Sequence, residues 1–196
     1  MPAGPPVADA RDTHPAGQGG VGGVGSLMSG DSSPGPPAAA DEVLASLSEA
    51  VPSAEAGHSV GDHVIRVPAE DLARLAGAAR DHGFEMCSDI TVVDYLGKRR
   101  VRFEVVVNLL SVQHNRRLRI LVPVPEGDPE VPSLVPVYPG ANFLEREAYD
   151  MFGIRFAGHP DLTRILMPDD WMGHPLRRDF EVGAVPVQFK ASPRVT

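Results

Sequence analysis

His159 and His174 stand in matching Gly-His-Pro triplets, with Asp161, Asp169 and Asp170 close by. Imidazole nitrogens and carboxylate oxygens are the donors of zinc and iron sites, so this set raises the reading of a stand-alone metal-dependent enzyme. The spacing argues against it. The two histidines are fifteen positions apart and neither belongs to a His-x3-His pair; a Gly-His-Pro triplet serves equally as a turn whose imidazole satisfies main-chain groups. Asp169 and Asp170 are adjacent, so their side chains point apart and suit a turn cap better than a hydrolytic carboxylate pair. Ser133 and Ser192 lie beside prolines without a nucleophile elbow. The glycines of 19–25 lack the Lys-Ser/Thr ending and the preceding strand of a phosphate loop. Cys87, the single cysteine, rules out an intrachain disulfide or a cysteine-ligated cluster within this chain and is read as packed rather than reactive.

Glu145 is the other residue with chemical potential. Residues 141–153 predict a helix of good formers stopped by Gly153. At 100° per residue, Leu144, Ala148, Tyr149, Met151 and Phe152 share one arc and Arg146, Glu147 and Asp150 the opposite one. Glu145 falls among the apolar positions. Its carboxylate must then be paired with a cation or hydrogen-bonded, or else act as an acid or base with a raised pKa; no clustered partner supports the last. Arg146 and Asp150 are four apart and can pair on the surface, for only about 0.3 to 0.5 kcal/mol, so recognition of another chain is their expected role.

The elements around that helix are legible from periodicity. Residues 1–40 are Gly, Pro, Ala and Ser with few large apolar side chains and read as a disordered tail. A short helix follows from Asp41, with Val43, Leu44 and Leu47 at helical spacing. His63–Val67 alternates as a strand, and Pro68 opens an amphipathic helix with Leu72, Leu75, Ala76 and Ala79 on one face and Gly83 as terminator. Ile90–Leu96, Val101–Leu110 and Leu118–Val124 are β-branched and aromatic, with short polar linkers between them, and predict an antiparallel meander. The proline-studded stretch after Val124 predicts a crossing loop. The expected class is α+β: a small, mostly antiparallel sheet with helices on one face over 41–140, the helix of 141–153, and an extended irregular segment over 154–196.

Composition narrows the partners. The net charge of −8 argues against a phosphate-backbone ligand, hence no nucleic acid. No run approaches the ~20 apolar residues of a spanning helix, and the N-terminus lacks secretory or mitochondrial presequence features; a bacterial cytoplasmic location is expected. The segment after Gly153 carries Phe156, Leu162, Ile165, Leu166, Trp171, Leu176 and Phe180 without helical or strand periodicity. So apolar and irregular a stretch is expected to lie along another protein. Within it, Arg164, Arg177 and Arg178 are expected to fork onto a neighbour's carboxylates, with Phe156, Trp171 and Phe180 as apolar anchors.

The strings Glu145-Arg146-Glu147, Asp150-Met151-Phe152-Gly153, Gly158-His159-Pro160-Asp161-Leu162, Arg164-Ile165-Leu166 and Gly173-His174-Pro175-Leu176-Arg177-Arg178-Asp179-Phe180 occur in this order. Together they resemble the signature of the C-subunit (thirty-kilodalton) family of respiratory complex I, with a weaker likeness from about residue 63 through the strands, including Asp94-Tyr95 and the VPSLVPVYPGANFLERE approach to the helix, so that it covers most of the chain after the tail. The resemblance implies a peripheral-arm subunit of proton-pumping NADH:quinone oxidoreductase without catalytic residues, cofactor or metal of its own. It implies packing against the D subunit (the forty-nine-kilodalton type) and the B subunit of that complex, with FMN and iron–sulfur clusters in partner subunits. It also implies a peripheral place on the cytoplasmic face of the bacterial membrane; the Gly-, Ala-, Pro- and Arg-rich usage points to menaquinone as the quinone. The equivalent subunit of a membrane-bound hydrogenase or another quinone-reducing complex is the alternative.

Overall fold

The computed structural model describes residues 38–59 and 62–181. It contains α1 (Ala38–Ala50), β1 (Glu55–Ser59), β2 (Asp62–Arg66), a single 3-10 turn (Ala69–Asp71), α2 (Leu72–Asp81) and β3 (Met86–Asp94). Then come β4 (Phe103–Ser111), β5 (Arg116–Val124), β6 (Glu130–Pro132), α3 (Ala141–Phe152) and β7 (Arg155–Ala157). The expected tail lies outside the described residues up to position 37, and its last three residues already belong to α1.

The main sheet runs β1-β2-β5-β4-β3. Three of its ladders are antiparallel, and β2 joins β5 in parallel. The meander β3-β4-β5 is therefore as the alternation predicts. Its inner face can be followed along one rung, where Ile65 pairs with Ile120, Ile120 with Val107 and Val107 with Ile90; all four are buried. Successive side chains point to opposite faces of a strand, so Phe103, Val105, Val107 and Leu109 of β4 all enter this core. Leu72, Leu75, Ala76 and Ala79 of α2 pack into the same core, as does the Leu44, Leu47 and Val51 stripe of α1 and its C-terminal flank. Tyr138 enters it with its hydroxyl donating to the Phe84 carbonyl at 2.8 Å. The apolar burial is the dominant stabilising term, about 1.5 to 3 kcal/mol for each fully buried aliphatic side chain.

Pro123 lies within the central strand β5 without breaking the sheet. Leu121 accepts the Val67 N–H on the β2 side, so residue 123 faces the same way, beyond Arg66, the last paired residue of β2. The missing donor therefore falls past the end of the paired β2–β5 ladder.

Three elements differ from expectation. β1 is a hairpin partner of β2 with every residue exposed, so it carries no buried alternation to read. β3 begins four residues before Ile90, through a register irregularity at Cys87–Asp89. The proline-rich crossing loop contributes β6, which pairs in parallel with β7 from the supposedly unstructured C-terminal segment. Phe156 of β7 is 3% exposed, which corrects its assignment as an anchor on another protein: it packs in this chain's own core. No helix among the described residues is long and apolar enough to cross a membrane.

Candidate functional site

α3 ends at Gly153, whose φ of 73° closes the helix in the left-handed region. Geometry there demands glycine twice over. A Cβ at this position would lie 2.5 Å from both Nη2 of Arg177 and Nε2 of His174. The C-terminal segment comes back to this point, and polar contacts fix its course.

Asp150 is the first of these. It is 0% exposed, which corrects its placement on the solvent side of α3 and its surface pairing with Arg146. Its Oδ1 accepts Nη1 of Arg164 at 2.7 Å, and its Oδ2 accepts the main-chain N–H groups of Ile165, Leu166 and Met167 at 3.1, 2.8 and 2.8 Å. Consecutive amides turned inward make a concave anion receptor, here filled by the chain's own carboxylate. Burial by itself would raise the Asp150 pKa, but the three amides and the guanidinium outweigh it and hold the carboxyl below its ordinary range. Arg146 instead donates to the carbonyl of Thr163 at 3.1 Å and to its hydroxyl at 3.0 Å, bracing the same loop from outside.

The second contact is His174. Its Nδ1 lies 3.0 Å from the Asp150 carbonyl; a carbonyl only accepts, so Nδ1 carries the proton. Burial lowers the pKa of this ring, which stands edge-on to Tyr149 at 6.2 Å. His159 is likewise used by the main chain, with Nε2 3.2 Å from the Asn142 carbonyl and Nδ1 accepting the Asp161 N–H at 3.0 Å. Both Gly-His-Pro histidines thus act as turn braces. Among the described residues no group of three or more His, Cys, Asp or Glu is placed to hold a metal ion.

The third contact centres on Arg102, immediately before β4 and 5% exposed. Its Nε and Nη2 fork onto Asp94 at 3.0 and 2.9 Å. Its Nη1 and Nη2 reach Asp179 at 3.0 and 2.6 Å, and Nη1 also meets Glu126 at 2.5 Å. Asp94 in turn accepts the main-chain N–H of Arg178 at 2.9 Å. Burial pushes the Asp94 carboxyl up, yet the Arg102 fork and the amides of Arg178 and Leu96 bring it down to about 2. Arg177 donates to the Phe152 carbonyl at 2.6 Å, and its guanidinium and that of Arg102 lie 5.2 and 4.7 Å from the Phe103 ring. Arg164 and Arg177 are therefore satisfied within the chain, where forks onto a neighbour were expected; Arg178 uses its backbone, and its side chain is exposed.

The segment turns a set of apolar side chains outward, beside the exposed Asp161, Asp169, Asp170 and Arg178. Ile165, Leu166, Met172 and Leu176 are exposed, Met172 at 85%, and so is Phe143 of α3. Trp171 stacks on Phe180 with ring centroids 6.3 Å apart, and its indole N–H is shielded without an acceptor. Glu147, Pro160 and Asp161 are exposed, Pro175 half-buried, and Phe152 buried.

Glu145, 0% exposed, is hydrogen-bonded rather than ion-paired. It accepts the Ser133 hydroxyl at 2.7 Å and the Leu134 N–H at 2.6 Å, closing the proline-rich loop onto α3. Burial raises its pKa despite these bonds. Burial also pushes the Cys87 thiol up to about 12, which leaves little thiolate and agrees with a packed role. Arg102 and Glu126 give no signal in the sequence. Arg102 reads there as one charged residue ahead of a strand, and its partner Asp179 is 77 positions away.

The family model described as "Respiratory-chain NADH dehydrogenase, 30 Kd subunit" matches residues 65–185. The C subunit of NADH-quinone oxidoreductase from a Nocardioides species is 50% identical over 133 residues, 66% of this chain and 53% of that protein. Its counterpart from Salinispora arenicola is 46% identical over 160 residues, 78% and 65% of the two chains. The chain thus spans about half to two thirds of the length of these relatives. Among solved structures, a trypsin-resistant fragment of Nqo5 is 34% identical with a TM-score of 0.55, over 64% of this chain and 97% of that one. A chain of the membrane-bound sulfane sulfur reductase, an archaeal respiratory membrane complex, shares the fold at a TM-score of 0.67 and 22% identity, over 81% and 99% of the two. With the β3-β4-β5 meander and the pinned C-terminal signature both inside the matched span, the chain belongs to the 30 Kd subunit family of respiratory-chain NADH dehydrogenases.

Proposed function

We propose that this chain is a structural and assembly subunit of the peripheral arm of proton-pumping NADH:quinone oxidoreductase. In this reading it performs no chemical step. It packs against the D and B subunits of the complex, next to the quinone-reducing module, while FMN and iron–sulfur clusters reside in partner subunits. It sits at the cytoplasmic face of the membrane through the complex, and menaquinone is the quinone served.

One observation carries the reading: a segment with a fixed main chain turns Ile165, Leu166, Met172 and Leu176 to solvent. Several of its charged and polar side chains are spent on internal contacts. Arg164 pairs with Asp150, Asp179 with Arg102, and His159 and His174 with main-chain carbonyls, so these four side chains hold the fold rather than act on a substrate. Clustered exposed apolar side chains beside arginines and a stacked aromatic pair have the composition of an interface core.

The same fold occurs in another respiratory membrane complex, so fold alone does not distinguish the two assemblies. The 46% to 50% identity to C-subunit chains favours the NADH-linked one. The test is to tag the full chain in its own cells, purify it in mild detergent and identify what co-elutes, beside a Leu166→Ser/Met172→Ser double variant. The expected result is co-elution of the D and B polypeptides with NADH:quinone activity, and loss of both from the double variant. The variant's own stability should change by less than about 0.5 kcal/mol, as is usual at exposed positions. Elution alone, or with hydrogenase-type partners, would overturn the assignment.

A further inference from the structure

Arg102 has five N–H donors, and all of them are engaged: two on Asp94 and three shared between Asp179 and Glu126. The bland account is a buried ion pair that closes the β3–β4 hairpin. The Asp94 fork alone would do that. Two of the remaining three donors instead reach Asp179, 77 positions along the chain, and Asp94 grips the same stretch from the other side through the Arg178 N–H. Phe103, the next residue, lies beneath the guanidiniums of both Arg102 and Arg177. Nearby, the Leu176 N–H donates to the Met151 carbonyl at 3.1 Å and Arg177 to that of Phe152. Residues 176–179 are thereby held both by the β3–β4 hairpin and by the end of α3.

We propose that Arg102 is the positioning residue of the docking segment, latching residues 176–180 to the hairpin within the isolated chain so that the exposed apolar side chains upstream are preset before a partner arrives. The word docking rests on the function proposed above; the latch does not. A buried guanidinium–carboxylate network adds little net stability, because desolvation offsets its Coulomb attraction, but it selects one geometry sharply. Ordering an irregular ribbon only on contact would charge its conformational entropy to the binding step. A preset ribbon avoids this.

The experiment compares the full wild-type chain with Arg102→Met and Asp179→Asn by amide hydrogen exchange. Leu176, Arg178 and Phe180 report the latch, since their N–H groups bond Met151, Asp94 and Arg177, while β4 and β5 report the domain. Trp171, the single tryptophan, reports its stacking on Phe180 by fluorescence. In wild type the three amides should be protected without any partner. In both variants their protection should fall at least about tenfold, the loss of one charge-assisted hydrogen bond, with a red shift of Trp171 and unchanged β4–β5 protection. Three amides already unprotected in wild type would overturn the latch, and so would unchanged protection in Asp179→Asn. Should Arg102→Met unfold the domain, Asp179→Asn decides, because Asp179 lies outside the sheet and is half exposed. Protected amides in a chain that captures no partner would sink the docking reading and leave the latch standing.

Discussion

The helix-backed sheet and the C-terminal segment are held by opposite kinds of force. In the sheet, the contacts are apolar rungs such as Ile65–Ile120–Val107–Ile90, whose partners are set by strand periodicity. After β7 the main chain of the segment is irregular, and polar groups of the domain fix its course: Arg146 on 163, Asp150 on 165–167, Asp94 on 178, Arg102 on 179, and the carbonyls of Asp150, Met151 and Phe152 on 174–177. Apolar burial is non-directional and tolerates repacking. Charge-assisted hydrogen bonds are directional, so they can hold an unrepetitive backbone in one path. The division explains how a segment can be ordered and still keep its apolar side chains outside.

The comparison is broken most severely at the residue the two regions share. Phe103 is buried in the sheet core and lies under the guanidiniums of its neighbour Arg102 and of the segment's Arg177. Phe103→Ala should lower global stability by about 3 to 5 kcal/mol, measured by urea unfolding, and should expose Trp171 in the same transition. A loss below about 1 kcal/mol, too small for an emptied core site, or Trp171 unchanged, would show that the segment does not depend on this ring.

A smaller and more local effect is expected from Asp150→Asn. The amide keeps one acceptor but forfeits the charge that faces Arg164 and three N–H groups, a loss of about 2 kcal/mol. It should appear as faster exchange at Ile165, Leu166 and Met167, with the β4–β5 amides little changed. Global unfolding without local loosening would place Asp150 in the domain core rather than in the segment's anchorage.

These contrasts bear on what could be read in advance. The faces of α2 and α3, the stop at Gly153 and the β3-β4-β5 meander follow from local periodicity and from glycine's freedom at positive φ. β1 escaped because Glu-Ala-Gly-His-Ser has no apolar alternation, and β6–β7 because three-residue parallel strands are specified by their partners. The family signature was legible as a string while its mechanics were not. Asp150 sits on the polar arc by helical angle, and only the return of residues 164–167 buries it. Arg102 and Asp179 are ordinary surface residues until the fold brings them together. The expectation of an external support for the ribbon was half right in its physics: apolar side chains do remain exposed, but the chain supplies its own polar underpinning.

The subtlest test sets two buried carboxylates on one helix against each other. Glu145 and Asp150 are five positions apart and each is 0% exposed. Asp150, with a guanidinium and three amides, is held below its ordinary value of 3.8. Glu145 is pushed above its ordinary 4.5 by burial, which its bonds to Ser133 and Leu134 only partly offset. The linkage signs are therefore opposite. Asp150 contributes stability above pH 3.8 that is lost as pH falls through its lowered folded value. Glu145 contributes fully below pH 4.5, and that contribution is lost as pH rises through its raised folded value. Replacing each by its amide isolates the two trends. The deficit of Asp150→Asn should be greatest near neutrality and shrink in acid. Glu145→Gln, which keeps an acceptor for the Ser133 hydroxyl or the Leu134 N–H, should match wild type near pH 4 and gain on it as pH rises toward 7. Urea titrations of the three chains across that range measure both slopes. Parallel slopes would mean that Glu145 is stabilised as a carboxylate by a cation, the ion pair that the helical wheel left open.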